Sequence, residues 1–251
     1  MKRIAYLLLL SLLVMGCSSE PKVKYVFYFI GDGMGVNEVI GTNLYNEANG
    51  QDVVNFTQFP VVNFITTVSA NSLVTDSSAA GTALATGTKI NNNALGQDPD
   101  GNPTPNLTEW AHAAGFGTGV ATSVGVNHAT PASFVAHTPS RNDYEEIAVQ
   151  MIDSPVDFMA GAAFLVQRRT GHNSAYFEHK ADSAGIAVFK GPGAIANIDL
   201  NAPRVLCLSA KEEDSIPYAI DRKRMTPGSP TLRTPASATW SPATARRDSS
   251  S

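Results

Sequence analysis

Charged residues are scarce in this sequence. They make up 16 % of its 251 residues, against about a quarter in an ordinary globular chain. The 18 basic and 22 acidic side chains leave a net charge of −4. No broad basic field exists, so a nucleic-acid role has no electrostatic support and no nucleic-acid partner is expected. Any anionic substrate must be met by local positive charge. Cysteine is nearly absent too. Cys17 and Cys207 are the only two, which rules out a disulfide framework. Cys207 sits in the apolar run Val205-Leu206-Cys207-Leu208 and reads as a small buried hydrophobe. Long apolar runs are also missing. The longest near the start, Ile4 to Met15, is too short for the roughly 20 residues of a spanning helix. What remains is 43 % apolar, enough for a sizeable core, in a length suited to one large α/β domain or two small ones.

The first residues have the pattern of an export signal. Lys2 and Arg3 precede the apolar run, and Val14-Met15-Gly16-Cys17 is similar to a bacterial lipobox. Residues 1–16 are therefore expected to be a lipoprotein-type signal peptide, with a tether over 17–22. Cys17 is the expected lipidation site. An exported protein in the periplasm or at the cell surface, attached to a membrane through Cys17, follows from that reading. From Arg222 the composition shifts to Pro, Ser, Thr and Arg, so residues 222–251 are expected to form a disordered or frame-shifted tail. The folded part is expected over 23–221.

Within it, Val23 to Ile30 predicts a central strand, aromatic and β-branched throughout. It ends in Gly31-Asp32-Gly33-Met34-Gly35, a tight turn, with a helix expected from Asn37 to Glu47. The turn lacks dinucleotide-loop spacing, and its aspartate would repel a pyrophosphate. Asp32 therefore reads as a metal ligand or as a plain turn residue. Val61 to Ser69 predicts a second strand. Asn91 to Asn93 open a polar loop that runs to Pro105. Asp98, Asp100, Asn102 and Glu109 match positions of a calcium loop, but Pro103 stands where glycine is needed, so a turn-rich loop is expected. Further helices are expected over Leu107 to Ala114, Asp143 to Ile152 and Tyr176 to Ala184. Further strands are expected over Gly117 to Ser123, Val156 to Met159, Ile186 to Phe189 and Val205 to Leu208, with a small-residue turn at Ala160 to Ala163. His112, His172 and His179 read as solvated.

Two stretches carry candidate chemistry. In VTDSSAAGTALATGTK, Val74 to Lys89, a strand end runs into Asp76 and Ser77 and then a short helix closed by Gly87. A helix N-terminus welcomes an anion, so Ser77 is either a nucleophile at a phosphate or oxyanion site or, with Asp76, a simple helix cap. In His128 to Arg141 a possible metal ligand, a hydroxyl and a guanidinium follow a strand. Pro131 can begin a helix, which leaves His128 and Thr130 at the carboxyl edge of the sheet, where α/β folds bind ligands. Arg141 suits bidentate contact with phosphate, or is an exposed loop residue.

Three segments, FIGDGMG (Phe29 to Gly35), VTDSSAAGTALATGTKINNNALG (Val74 to Gly96) and HATPASFVAHTPSR (His128 to Arg141), resemble the alkaline phosphatase family in order and spacing. The resemblance implies an α/β fold with a mostly parallel central sheet flanked by helices, and hydrolysis of phosphate monoesters. It implies zinc and magnesium as cofactors and a homodimer in many members. Ser77 would be the nucleophile that becomes phosphorylated. Asp32 would bridge a zinc and the magnesium, His128 and Thr130 would stand at the third metal, and Arg141 would clamp phosphate with Asp76 orienting it. Ser77 would bind metal as well. The family's other metal ligands lie in its C-terminal half, and the tail after Asp221 has no histidine and only Asp248 as an acid. Turnover is therefore expected to be impaired. The alternatives are a non-catalytic exported fragment, or a related metal-dependent phosphodiesterase or sulfatase.

Overall fold

The computed structural model describes residues 23–167, 171–191, 194–209 and 216. The signal segment, Cys17, the tether and the tail of the sequence reading lie outside the described residues. The chain divides after Val54 into two compact units.

The first unit holds residues 23–30, a turn, and helix α1, Val36–Ala48. The turn closes by Met34 N–H donating to the Gly31 carbonyl at 3.1 Å. It passes Gly33 at φ 68°, a conformation glycine adopts without a side-chain clash. Glu38 reaches back and accepts the Gly35 N–H at 2.9 Å, which satisfies one orphan donor of the helix start. The expected helix is thus present. The expected central strand is not: residues 23–30 form no ladder among the described residues. Phe27 and Phe29 are 78 % and 88 % exposed. Local β propensity favours a pleated, half-buried surface, and a strand forms only where a neighbouring strand supplies hydrogen bonds and side-chain contacts.

In the second unit the same correction applies to Val61–Ser69. That segment carries no strand, and Val61, Phe64 and Ile65 are exposed. The rest follows the α/β expectation closely. Helices α2 (Ser77–Thr86) and α3 (Leu107–Ala113) lead to strand β1, Gly119–Gly125. The single turn α4 (Ala129–Ala132) and helix α5 (Tyr144–Asp153) lead to β2, Phe158–Ala162. Helix α6 (Ser174–Ser183) leads to β3, Ala187–Lys190, and then β4, Val205–Leu208. The four strands form one parallel sheet in the order β1-β2-β4-β3. Residues Ala160 to Ala162, expected in a turn, belong to β2. They can, because Gly161 lets the neighbouring β1 backbone approach: a Cβ there would lie 3.0 Å from the Val124 carbonyl oxygen and the Val126 Cα.

Helix ends fall where glycine permits a left-handed residue. Gly87, Gly115 and Gly185 have φ of 76°, 82° and 79°, each just beyond a helix. Ile147, Met151 and Ile152 of α5, Phe177 of α6, Met159 of β2 and Leu206 of β4 are buried in one continuous core. Burying such side chains supplies about 1.5–3 kcal/mol each. Cys207 is buried in β4, and burial raises its thiol pKa. His179 is exposed as expected. His172 is more engaged than expected. Its ring stacks on Tyr176 with centroids 4.0 Å apart and meets Glu145 at 3.2 Å.

Candidate functional site

Helix α2 begins at Ser77 because Asp76 caps it. Asp76 is in extended conformation, with ψ 174°, and its side chain accepts the Ala79 N–H at 2.9 Å. This satisfies one of the amides that the first helical turn leaves unpaired. The adjacent Ser78 is fully buried, and its hydroxyl lies 2.8 Å from both oxygens of the Asp76 carboxylate. Ser77, by contrast, is the first residue of the helix and only half-buried. The two serines are thereby given different tasks. Ser78 supports the cap, and Ser77 stands at the positive end of the helix dipole.

The second part of the site hangs from β1. Beyond Gly125 the chain turns with the His128 N–H donating to the Gly125 carbonyl at 2.9 Å, and His128 becomes the first flanking residue of α4. Asn127 anchors this junction. It is fully buried, and its amide donates to the carbonyls of Tyr144 and Leu165 and accepts the Leu165 N–H, all within 2.8–2.9 Å. Helix α4 packs on α2 through Gly81. A Cβ at Gly81 would lie 2.6 Å from the Ser133 oxygen and 3.6 Å from the Thr130 Cα. The Ser133 hydroxyl itself bonds to the Ala129 carbonyl at 2.7 Å and reaches the Ser78 carbonyl at 3.2 Å. The contact brings α4, which carries Thr130, close against the helix that starts at Ser77.

Arg141 reaches into the same place. Its Nη1 is 3.5 Å from Asp76 Oδ2 and its Nη2 is 3.4 Å from His128 Nε2. A guanidinium can only donate, so His128 Nε2 is the acceptor in this contact. Burial pushes the Asp76 carboxyl upward. The Ala79 amide, the Ser78 hydroxyl, the Asn93 amide and the Arg141 guanidinium together outweigh it, and its pKa falls below the ordinary aspartate value. Asp76 is thus an anion held by donors on several sides.

The segment 91–97 holds this arrangement from outside. The Asn93 N–H donates to Asp76 Oδ2 at 2.9 Å, and the Arg141 N–H donates to the Asn93 carbonyl at 2.7 Å. Leu95 and Thr138 exchange both backbone hydrogen bonds, at 2.9 and 3.0 Å. His137 then bridges the Gly96 carbonyl and Glu109. Asp98, expected in a turn, accepts the Asp100 and Asn102 amides at 2.9 Å.

Asp76 and His128 thus both meet Arg141, with Ser77 next to Asp76 in the chain. Asp32 lies exposed in the turn of the first unit. The sequence reading passed over Ser78, Asn93 and Asn127. Only Asn93 had a signal, since asparagine is among the few residues that accept a left-handed conformation. A separate cleft of about 340 Å³, bordered by Glu109, His137, Glu146 and Asp153 among others, contains none of the expected site residues.

The donors of the second unit do not by themselves fit the expected metals. Zinc takes three or four nitrogen, sulfur or carboxylate ligands, and magnesium needs carboxylates. The second unit offers His128 with the hydroxyls of Ser77 and Thr130, and His128 Nε2 already faces the Arg141 cation. Among the described residues no group of three or more His, Cys, Asp or Glu could hold a metal ion.

The profile of the alkaline phosphatase family matches residues 23–157. The chain is 34 % identical over 166 residues to alkaline phosphatase 4 of Bacillus subtilis (strain 168), covering 64 % of this chain and 35 % of that protein. Its fold is similar to the alkaline phosphatase of the Antarctic bacterium TAB5. The TM-score is 0.64 at 28 % identity, over 77 % of this chain and 54 % of that one. The similarity to Thermus thermophilus alkaline phosphatase has a TM-score of 0.67 at 31 % identity, over 76 % and 41 %. A histidine-to-aspartate variant of the TAB5 enzyme holds magnesium in its M3 site. The chain therefore spans about a third of the Bacillus relative's length and about half or less of these solved structures.

Proposed function

Because the chain belongs to the alkaline phosphatase family, we propose that the start of α2 is a phosphate-monoester site with Ser77 as the acceptor of the phosphoryl group. The observation that carries this reading is the Arg141–Asp76 contact at the N-terminus of the helix that Ser77 begins. A terminal phosphate would sit on the partial positive charge of α2. The Arg141 guanidinium, with five donors in a fixed fork, would hold its equatorial oxygens. Asp76 fixes the guanidinium from one side, and its lowered pKa makes it a weak base for the proton of the Ser77 hydroxyl.

The reaction on this reading is a substitution in two steps. The Ser77 Oγ–P bond forms as the bond from phosphorus to the leaving oxygen breaks, and the serine proton ends on the leaving alcohol. Water then displaces Ser77 and releases inorganic phosphate. A serine hydroxyl is a weak nucleophile unless something stabilises its alkoxide. The second unit's own donors do not build the zinc site that would do so, and no step is assigned to a metal. On this donor set alone the Ser77 alkoxide lacks a stabilising metal, so slow turnover is the expected outcome of the assay below.

Export and attachment through Cys17 belong to the same proposal, supported by the basic, apolar and Gly16-Cys17 pattern of the first residues. No helix among the described residues is long and apolar enough to cross a membrane. An aryl phosphate assay with zinc titrated in, and Ser77→Ala as control, tests the activity. Slow release that the variant lacks is the expected result. No release with or without zinc would overturn the enzymatic reading in favour of a non-catalytic phosphate-binding protein.

A further inference from the structure

Asn93 holds the backbone of Arg141 directly and its side chain through Asp76. The Asn93 carbonyl accepts the Arg141 backbone N–H at 2.7 Å, and the Asn93 N–H donates to Asp76 Oδ2 at 2.9 Å. That same oxygen faces the Arg141 Nη1 at 3.5 Å. The path from the arginine backbone through Asn93 and Asp76 to the arginine side chain is thus a closed ring of contacts. Asn93 can complete it only because its backbone is left-handed, with φ 77°, the one non-glycine residue with positive φ among the described residues. For most L-residues that conformation costs about 1–2 kcal/mol, and asparagine and glycine pay least.

The neighbour Asn92 fixes the same turn to the extended segment that leads into the cap. Its Nδ2 donates to the Val74 carbonyl at 2.9 Å and its Oδ1 accepts the Asp76 N–H at 3.2 Å. A side-chain amide here satisfies the backbone of this extended segment. The Asn71 side chain accepts the Asn92 N–H at 2.9 Å and holds the turn in register. Asn93 itself is exposed. Its side chain fills no core, so its contribution comes through its backbone.

We propose that Asn93 is a positioning residue that sets the Arg141 guanidinium against Asp76, and that the left-handed turn at Asn93 thereby controls phosphate affinity. The proposal rests on the phosphate reading of the site. Replacing Asn93 with valine makes the left-handed conformation costly and should displace the carbonyl and N–H together. Replacing it with glycine keeps both.

The test compares wild-type, Asn93→Val, Asn93→Gly and Met151→Ala proteins. Met151 lies in the core of α5, so its variant controls for lost stability alone. Inorganic phosphate is titrated calorimetrically, and the exchange rates of the Asn93 and Arg141 amides are measured. Asn93→Val should weaken phosphate binding by roughly tenfold, the equivalent of the conformational cost, and speed exchange at the Arg141 amide. Asn93→Gly should match wild type in both. Met151→Ala should lower the melting temperature without changing phosphate affinity. Equal phosphate affinity in Asn93→Val and wild type would overturn the proposal. If the wild-type protein binds no phosphate, the phosphate reading fails by itself. The positioning role then stands or falls on exchange: an Arg141 amide as slow in Asn93→Val as in wild type overturns it.

Discussion

The Ser78 hydroxyl stands 2.8 Å from each oxygen of the Asp76 carboxylate, and Ser78 is fully buried. Two adjacent serines are thereby separated in role by one residue of helix rotation. Removing a buried hydroxyl that supports a half-buried charged cap should cost about 1.5–3 kcal/mol. Ser78→Ala should therefore lower the melting temperature clearly, while Ser77→Ala, at a half-buried position, should change it little. Thermal melts followed by circular dichroism separate the two. Equal losses for both variants would contradict the assignment.

The pH dependence of stability should carry the signature of Asp76. Its folded pKa lies below the unfolded value, because the Ala79, Ser78, Asn93 and Arg141 donors outweigh its burial. A depressed carboxyl stabilises the folded state fully above its unfolded pKa of about 3.9. That contribution is lost as pH falls from there through the folded pKa. Melting temperatures of wild type and Asp76→Asn should differ most above pH 5, with wild type the more stable. The difference should shrink in acid. A gap that stays constant or widens as the pH drops would be the wrong sign.

Gly81 is where α2 and α4 touch. Gly81→Ala would place a methyl 2.6 Å from the Ser133 hydroxyl oxygen and 3.0 Å from its Cβ. Overpacking of this kind costs roughly 1–3 kcal/mol. Because the Ser133 Cβ remains in the way, Gly81→Ala combined with Ser133→Ala should recover only part of the loss. Chemical denaturation of the single and double variants measures it. Full additivity of the two substitutions would show that the helices do not meet there.

These variants touch elements that differ in how visible they were from sequence. Helix α2 was legible because its signals are local: an acidic cap, small residues and a closing glycine all act within one turn. The same holds for α3 and α6, which end before Gly115 and Gly185. Strands β1 to β4 were legible to within a few residues, because their apolar runs are short and bounded by turns. Residues 23–30 and 61–69 were misread for the opposite reason. Their composition speaks for a strand, yet a ladder depends on a partner that may lie anywhere in the chain, and the described residues supply none. In the site, Asp76, Ser77, His128 and Arg141 stood out by residue type. Asn93 acts through its backbone, for which its residue type is only a weak signal, and Asn127 acts through a buried amide between distant carbonyls, which leaves no mark in the local sequence. Asp32, expected as a metal ligand at a tight turn, lies in such a turn of the first unit.

The central claim, that Ser77 accepts a phosphoryl group, is tested most directly by incubating the purified chain with an aryl phosphate, quenching in acid and mapping the modified peptide by mass spectrometry. The account predicts one phosphoryl group on Ser77, none on Ser78, and loss of the label in both Ser77→Ala and Arg141→Ala. Label on Ser78, or no label on the wild-type chain whether or not zinc is present, would contradict it.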